Sequence, residues 1–136
     1  MLDVCRVATG SMRVNCYILG DTATGLGAIV DPGGETPENG SDIILRECGK
    51  MGVKVSVILL THAHFDHILS LERVRKATGA PLAAHRYDAP ALADPSISYM
   101  SQYAGKNSPE EPPERLLDDG DIVTVGESVL RVMHTP

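Results

Sequence analysis

Thr61-His62-Ala63-His64-Phe65-Asp66-His67 brings three imidazoles and a carboxylate into one short stretch. Just before it, Val53-Lys54-Val55-Ser56-Val57-Ile58-Leu59-Leu60 is rich in β-branched residues and too short for an ordinary helix, so it reads as a buried strand. Just after it, Ile68, Leu71, Val74 and Ala77 recur at every third position, with Glu72, Arg73, Arg75 and Lys76 on the other side. That spacing predicts one amphipathic helix, stopped by Gly79 and then Pro81. The cluster therefore sits where a strand ends and a helix begins, the place at which layered α/β folds bind ligands.

Imidazole and carboxylate are the side chains that bind zinc, iron or manganese where thiolate is absent. His62 and His64 are two apart, so in an extended segment they face the same side and can hold one ion together. Asp66 and His67 lie where the chain bends into the helix and can face a second ion. Two metals roughly 3.5–4 Å apart would share a bridging hydroxide, activated at neutral pH. Asp66 would then be both a ligand and the acceptor that orients the nucleophile. The competing reading is a polar surface loop that happens to carry histidines. Three His and an Asp as H-x-H-x-D-H at a strand end favour metal.

That motif resembles the signature of the metallo-β-lactamase fold hydrolases. Other stretches are similar too: Asn15-Cys16-Tyr17-Ile18-Leu19 in an early strand, Ile29-Val30-Asp31-Pro32-Gly33-Gly34 closing the next, Leu117-Asp118-Asp119-Gly120-Asp121 before a late hairpin, and Val132-Met133-His134-Thr135-Pro136 as a lead-in to a G-H-T-P-G-S segment. Within that family the chain looks most like the glyoxalase II-like (hydroxyacylglutathione hydrolase-like) proteins. The resemblance implies an α/β fold built as a four-layer αββα sandwich. It also implies His62, His64, Asp66 and His67 as ligands to two zinc ions, with iron or manganese as alternatives. Asp66 would be catalytic, Asp31 and Thr61 would support the ligands from behind, and the reaction would be thioester hydrolysis of a small-molecule substrate. Relatives resembling persulfide dioxygenases and flavodiiron proteins make iron-dependent redox chemistry the alternative.

The resemblance further implies a domain of about two hundred residues or more. Residues 1–136 would then be roughly the N-terminal two-thirds of one such domain. On that reading the third metal-binding His lies beyond Pro136, and His134 belongs to the lead-in rather than to the ligand set. The chain alone is then expected to hold metal weakly or to be inactive. It should also expose apolar surface that self-association or a further segment would cover.

The formal net charge is −6 and no Lys/Arg run exceeds a pair, which argues against the phosphate-neutralising basic face that extended nucleic-acid binding needs. Cys5, Cys16 and Cys48 are odd in number, far apart and without C-x-x-C, so no disulfide framework is implied. With neither a basic-then-apolar leader nor eighteen consecutive apolar residues, the expectation is a cytoplasmic protein that does not span a membrane.

Cys5-Arg6-Val7 and residues 14–19 read as strands, and Gly27-Ala28-Ile29-Val30-Asp31 returns as a hairpin partner. Asp31, at a strand end beside two glycines, either caps its own turn or braces the metal loop. Thr36-Pro37-Glu38 reads as a helix start, with Ile44, Cys48 and Met51 on one face and an end near Gly49. Residues 81–85 read as a short strand ending in His85, which reads as a hydrogen-bonded structural group. Residues 88–93 read as a short helix capped by Asp88, Tyr99 to Tyr103 as a further turn, and residues 107–113 as a loop. Ile122 to Val125 and Ser128 to Val132 flank Gly126-Glu127 as a hairpin.

Overall fold

The computed structural model describes residues 1–105 and 108–135, so the expectations for Asn107 and Pro136 fall outside the described residues. Its first three strands form an antiparallel meander: β1 (Leu2–Thr9) pairs with β2 (Val14–Asp21), and β2 with β3 (Leu26–Val30). Three parallel strands continue the sheet: β4 (Lys54–Leu59) beside β3, then β5 (Leu82–His85) and β6 (Arg115–Leu117). Parallel neighbours need crossovers. α1 (Ser41–Met51) joins β3 to β4, while α2 (Phe65–Ile68) and α3 (Leu71–Thr78) join β4 to β5. A short helix α4 (Ala89–Ala93) and a π-helical turn (Met100–Ala104) follow β5. A separate hairpin of β7 (Ile122–Val125) and β8 (Ser128–Arg131) forms a second sheet.

Each face of the large sheet has its own core. On one face Ile18, Ile29, Ile58 and Leu82 meet Ile44 and Cys48 of α1, Ile68 of α2, Leu71 and Val74 of α3 and Leu92 of α4. On the other face Ala28, Val57, Ala83 and Leu117 meet Val123 and Val125 of the hairpin. Helices, large sheet and small sheet are three of the expected four layers; among the described residues no helix joins the second core. The hairpin is fixed by Asp21, whose buried carboxylate accepts from Ser128 Oγ (2.6 Å), the Glu127 N–H (3.0 Å) and Thr24 Oγ1 (2.6 Å). Gly126, at φ +60°, leaves room for that carboxylate, because a Cβ there would lie 2.3 Å from Asp21 Oδ2.

Three expectations are corrected. The helix starting at Thr36 begins instead at Ser41, because Thr36 and Asn39 close a turn on each other (Thr36 N–H to Asn39 Oδ1, 2.9 Å; Asn39 N–H to Thr36 Oγ1, 3.2 Å). It runs through Gly49 and stops at Gly52, which is left-handed at φ +68°. The single helix after the histidines is two, because Ser70 leaves the helical path to donate its hydroxyl to Gly34 O (3.0 Å) and its N–H to Pro32 O (3.0 Å). Strand β6, separated from the Pro112-Pro113 pair only by Glu114, carries no periodicity that a sequence reading can use; it forms by pairing with β5. The three cysteines are free, and burial pushes the Cys48 thiol up to about 11 and Cys16 higher still. No described helix is long and apolar enough to cross a membrane.

Candidate metal centre

Strand β4 ends at Leu59, and the chain leaves it extended. Ala63 is buried, so the alternation of an extended segment turns His62 and His64 outward together. His64 is the residue before α2, with extended backbone (φ −65°, ψ 148°), and α2 carries Asp66 and His67 back over the strand end. The rings converge. Centroids of His62 and His67 are 4.1 Å apart and those of His62 and His64 4.9 Å, while His67 Nε2 lies 3.7 Å from Asp66 Oδ2. Gly33 allows this bend to pack on the loop after β3: a Cβ there would lie 2.6 Å from the Asp66 carbonyl oxygen.

Behind the rings stands Asp31, just past β3, in the left-handed region at φ +57° and 3% exposed. Its carboxylate turns to the histidine loop, not back on its own turn. Oδ1 accepts the Thr61 N–H (2.7 Å), while Oδ2 accepts the Thr61 hydroxyl (2.5 Å) and lies 3.0 Å from His67 Nδ1. Thr61 Oγ1 in turn lies 3.0 Å from His62 Nδ1. The protons of this network can be assigned. An ionised carboxylate only accepts, so His67 Nδ1 carries the hydrogen. The Thr61 hydroxyl spends its one hydrogen on Asp31, so it can only accept from His62 Nδ1. Both imidazoles are thus held with Nδ1 protonated and Nε2 bare, a tautomer that leaves one ring nitrogen free for a metal.

Burial, followed by the neighbouring His67, lowers the His62 pKa; the hydrogen bond that His67 donates to Asp31 raises that of His67. One donor atom each from Asp31, His62 and His67 lies within 4.8 Å of the others. That trio contains the brace Asp31 and neither His64 nor Asp66, so two of the four predicted ligands are grouped at this distance. The donor chemistry and the fixed tautomers fit a divalent cation.

Other candidates lie elsewhere. His85 accepts the Tyr87 N–H on Nδ1 (3.1 Å) and stacks on His134 at 4.1 Å and 17°, which is the structural arrangement expected of it. The two rings line a cleft of about 580 Å³ that also reaches Thr61 and His62. His134 stands apart from the converging imidazoles, its N–H held by Asp119 Oδ1 (2.9 Å). Tyr99 lies 5.9 Å from His64, centroid to centroid. The relay from Asp31 through Thr61 to His62 was not deducible from spacing, because it joins residues thirty apart in the chain.

The sequence model described as "Metallo-beta-lactamase superfamily" matches residues 9–136. The chain belongs to that superfamily. Relatives within it include "Probable metallo-hydrolase YqgX" of Bacillus subtilis, 31% identical over 96% of this chain and 59% of that protein. The "Hydroxyacylglutathione hydrolase" of Cereibacter sphaeroides is 36% identical over 88% of this chain and 38% of that protein. Among solved structures of the metallo-beta-lactamase fold, the BLEG-1 B3 metallo-beta-lactamase superposes with TM-score 0.84 at 28% identity, covering 98% of this chain and 62% of that one. The LRA-12 enzyme, a class B3 di-zinc metallo-beta-lactamase, is also 28% identical, with TM-score 0.74, covering 98% of this chain and 49% of that one. The chain therefore spans less than two thirds of the length of these relatives.

Proposed function

We propose that this chain carries the metal-binding part of a hydrolase that cleaves thioesters, with His62, His64, Asp66 and His67 as ligands and Asp31 and Thr61 bracing them. The observation that carries the reading is the pair of imidazoles held with Nε2 bare by the Asp31–Thr61 brace. Thioesters are favoured over other acyl compounds by the similarity to hydroxyacylglutathione hydrolases. When bound, zinc supplies Lewis acidity and lowers the pKa of a coordinated water. The chain's own residues do the rest. Asp31 keeps the Nδ1 protons of the imidazoles in place, directly on His67 and through Thr61 on His62. Asp66 is the carboxylate placed to orient the nucleophile and accept its proton.

Four donors shared between two ions fall short of the three protein ligands usual for each catalytic zinc, so the 136-residue chain alone is expected to bind metal weakly. Tight, stoichiometric uptake of two zinc ions by it would overturn this ligand count. For the function, protein that carries the complete ligand set, not the 136-residue chain alone, is purified without added metal, analysed for its elements and assayed on a thioester. Zinc with hydrolysis is the expected result. Iron with oxygen consumption would replace the hydrolase reading with redox chemistry.

A further inference from the structure

The imidazoles of the metal loop are not all held alike. His62 and His67 are partly buried, and each has its Nδ1 occupied, by Thr61 and by Asp31. His64 is exposed, and its ring touches only other rings among the described residues: His62 edge-on at 4.9 Å and 89°, and Tyr99 at 5.9 Å and 56°. A ligand with no anchor keeps its rotamer freedom and has to give it up on binding, which costs affinity. Of these two contacts, His62 is itself a proposed ligand, so Tyr99 is the neighbour that can serve as an anchor.

Tyr99 is held firmly at that place. Its backbone is left-handed (φ +65°, ψ 13°), a region that a bulky side chain enters only where its surroundings impose it. Here they do. Its neighbours Ser98 and Met100 are both buried, while Tyr99 between them stays 45% exposed. The Tyr99 N–H donates to Ser96 O (3.3 Å) and the Met100 N–H to Pro95 O (2.8 Å). The Ser98 carbonyl accepts the N–H of Phe65 (2.8 Å), the residue after His64, so the tyrosine turn is tied to the histidine loop through its backbone. The rings then close a circuit. Tyr99 lies 6.1 Å from Tyr103, and Tyr103 stacks on Phe65 at 5.2 Å and 21°. Each of these separations is one at which aromatic pairs attract.

We infer that Tyr99 is the positioning residue for His64, restricting by ring packing the imidazole that no hydrogen bond restricts. It does for His64 what Thr61 does for His62 and Asp31 for His67. Glycine would relieve the backbone at this position but has no ring to offer. The inference rests on the reading of His64 as a metal ligand and deepens it.

The test is Tyr99→Gly, which removes the ring and eases the backbone, so that the fold is kept. NMR relaxation of the imidazole C–H groups is measured on the metal-free 136-residue chain. In the wild type His64 should be as ordered as His62 and His67. In Tyr99→Gly its order parameter should drop below about 0.6, the flexible range, with the other two rings unchanged. Tyr99→Phe keeps the ring and should keep the order. In protein that carries the complete ligand set, zinc affinity from competition with a chelator should fall about 10-fold in Tyr99→Gly, the low end for loss of a group that orients a ligand, and stay within about twofold in Tyr99→Phe. A His64 ring as ordered in Tyr99→Gly as in the wild type would overturn the inference. So would a ring already loose in the wild type, a ring as loose in Tyr99→Phe as in Tyr99→Gly, or loosening of all the imidazoles together, which a merely structural tyrosine would give. The ligand reading fails differently: a His64 ring freed in Tyr99→Gly with zinc affinity unchanged sustains the positioning role and removes His64 from the ligand set.

Discussion

Two groups of histidines lie a short distance apart in this molecule, and they are built in opposite ways. His62 and His67 each have one nitrogen occupied from behind, by Thr61 and by Asp31, so the other nitrogen is left bare beside Asp66 and His64. His85 and His134 lie face to face at 17°, and the Nδ1 of His85 is taken by the Tyr87 amide. Parallel stacked rings direct their lone pairs side by side and not toward one point. The first group is organised to hold something; the second packs the end of β5 against the segment after β8. Imidazoles in proximity do not by themselves make a metal site; orientation by a buried carboxylate is the arrangement that metal-ligating histidines share.

The sharpest way to break this contrast is at Asp66. In the intact, metal-loaded protein Asp66→Ala is expected to lower turnover by about 10²–10⁴-fold, the usual range for a lost proton acceptor, with the melting temperature little changed. Unaltered hydrolysis in that variant would remove Asp66 from the mechanism. Next in size is Asp31→Asn. Its amide can still accept from Thr61 but no longer fixes His67 by charge, so zinc affinity, measured by competition with a chromophoric chelator, should fall about 10–100-fold. The same substitution in a mere turn-capping aspartate would leave zinc affinity where it was.

A smaller effect is expected at Asp21, which touches neither group. Its native pKa is depressed, first by the Ser128 hydrogen bond and then by Thr24 and the Glu127 amide. A depressed carboxylate stabilises the fold above its unfolded pKa and loses that contribution as pH falls through the native one. Asp21→Asn should therefore melt below wild type at pH 7, and the two curves should converge on acidification below pH ~4, the unfolded carboxylate range. The smallest effect is the control for the comparison. His85→Ala should leave zinc affinity within about twofold, as expected for a histidine outside the ligand set, and change only stability.

The loop at residues 61–67 was legible because its chemistry is local: spacing two apart at a strand end dictates which side chains share a face, and burial of Ala63 is the same alternation seen from inside. The existence of strands β1 to β5 and of the last hairpin followed from short β-branched runs and turn residues, although β1 spans Leu2–Thr9 and not only Cys5 to Val7. What the sequence hid was whatever depends on distant partners. Asp31 could equally have capped its own turn, and only the folding of β3 beside β4 brings it against Thr61 and His67. Ser70 splits the helix after the motif because Gly34 and Pro32 wait for it, and strand β6 exists because β5 offers it an edge.

The carboxylate of Asp21 meets Glu127 and Ser128 from 106 and 107 positions away, whereas the β1–β2 and β2–β3 pairs close over short turns. Such a contact cannot help while the chain is still being made, since its partners emerge from the ribosome long after the meander is complete. If it forms after the rate-limiting step of folding, as its separation leads us to expect, its removal should quicken unfolding and leave the refolding rate nearly untouched, and an equal slowing of refolding in stopped-flow chevrons would contradict that.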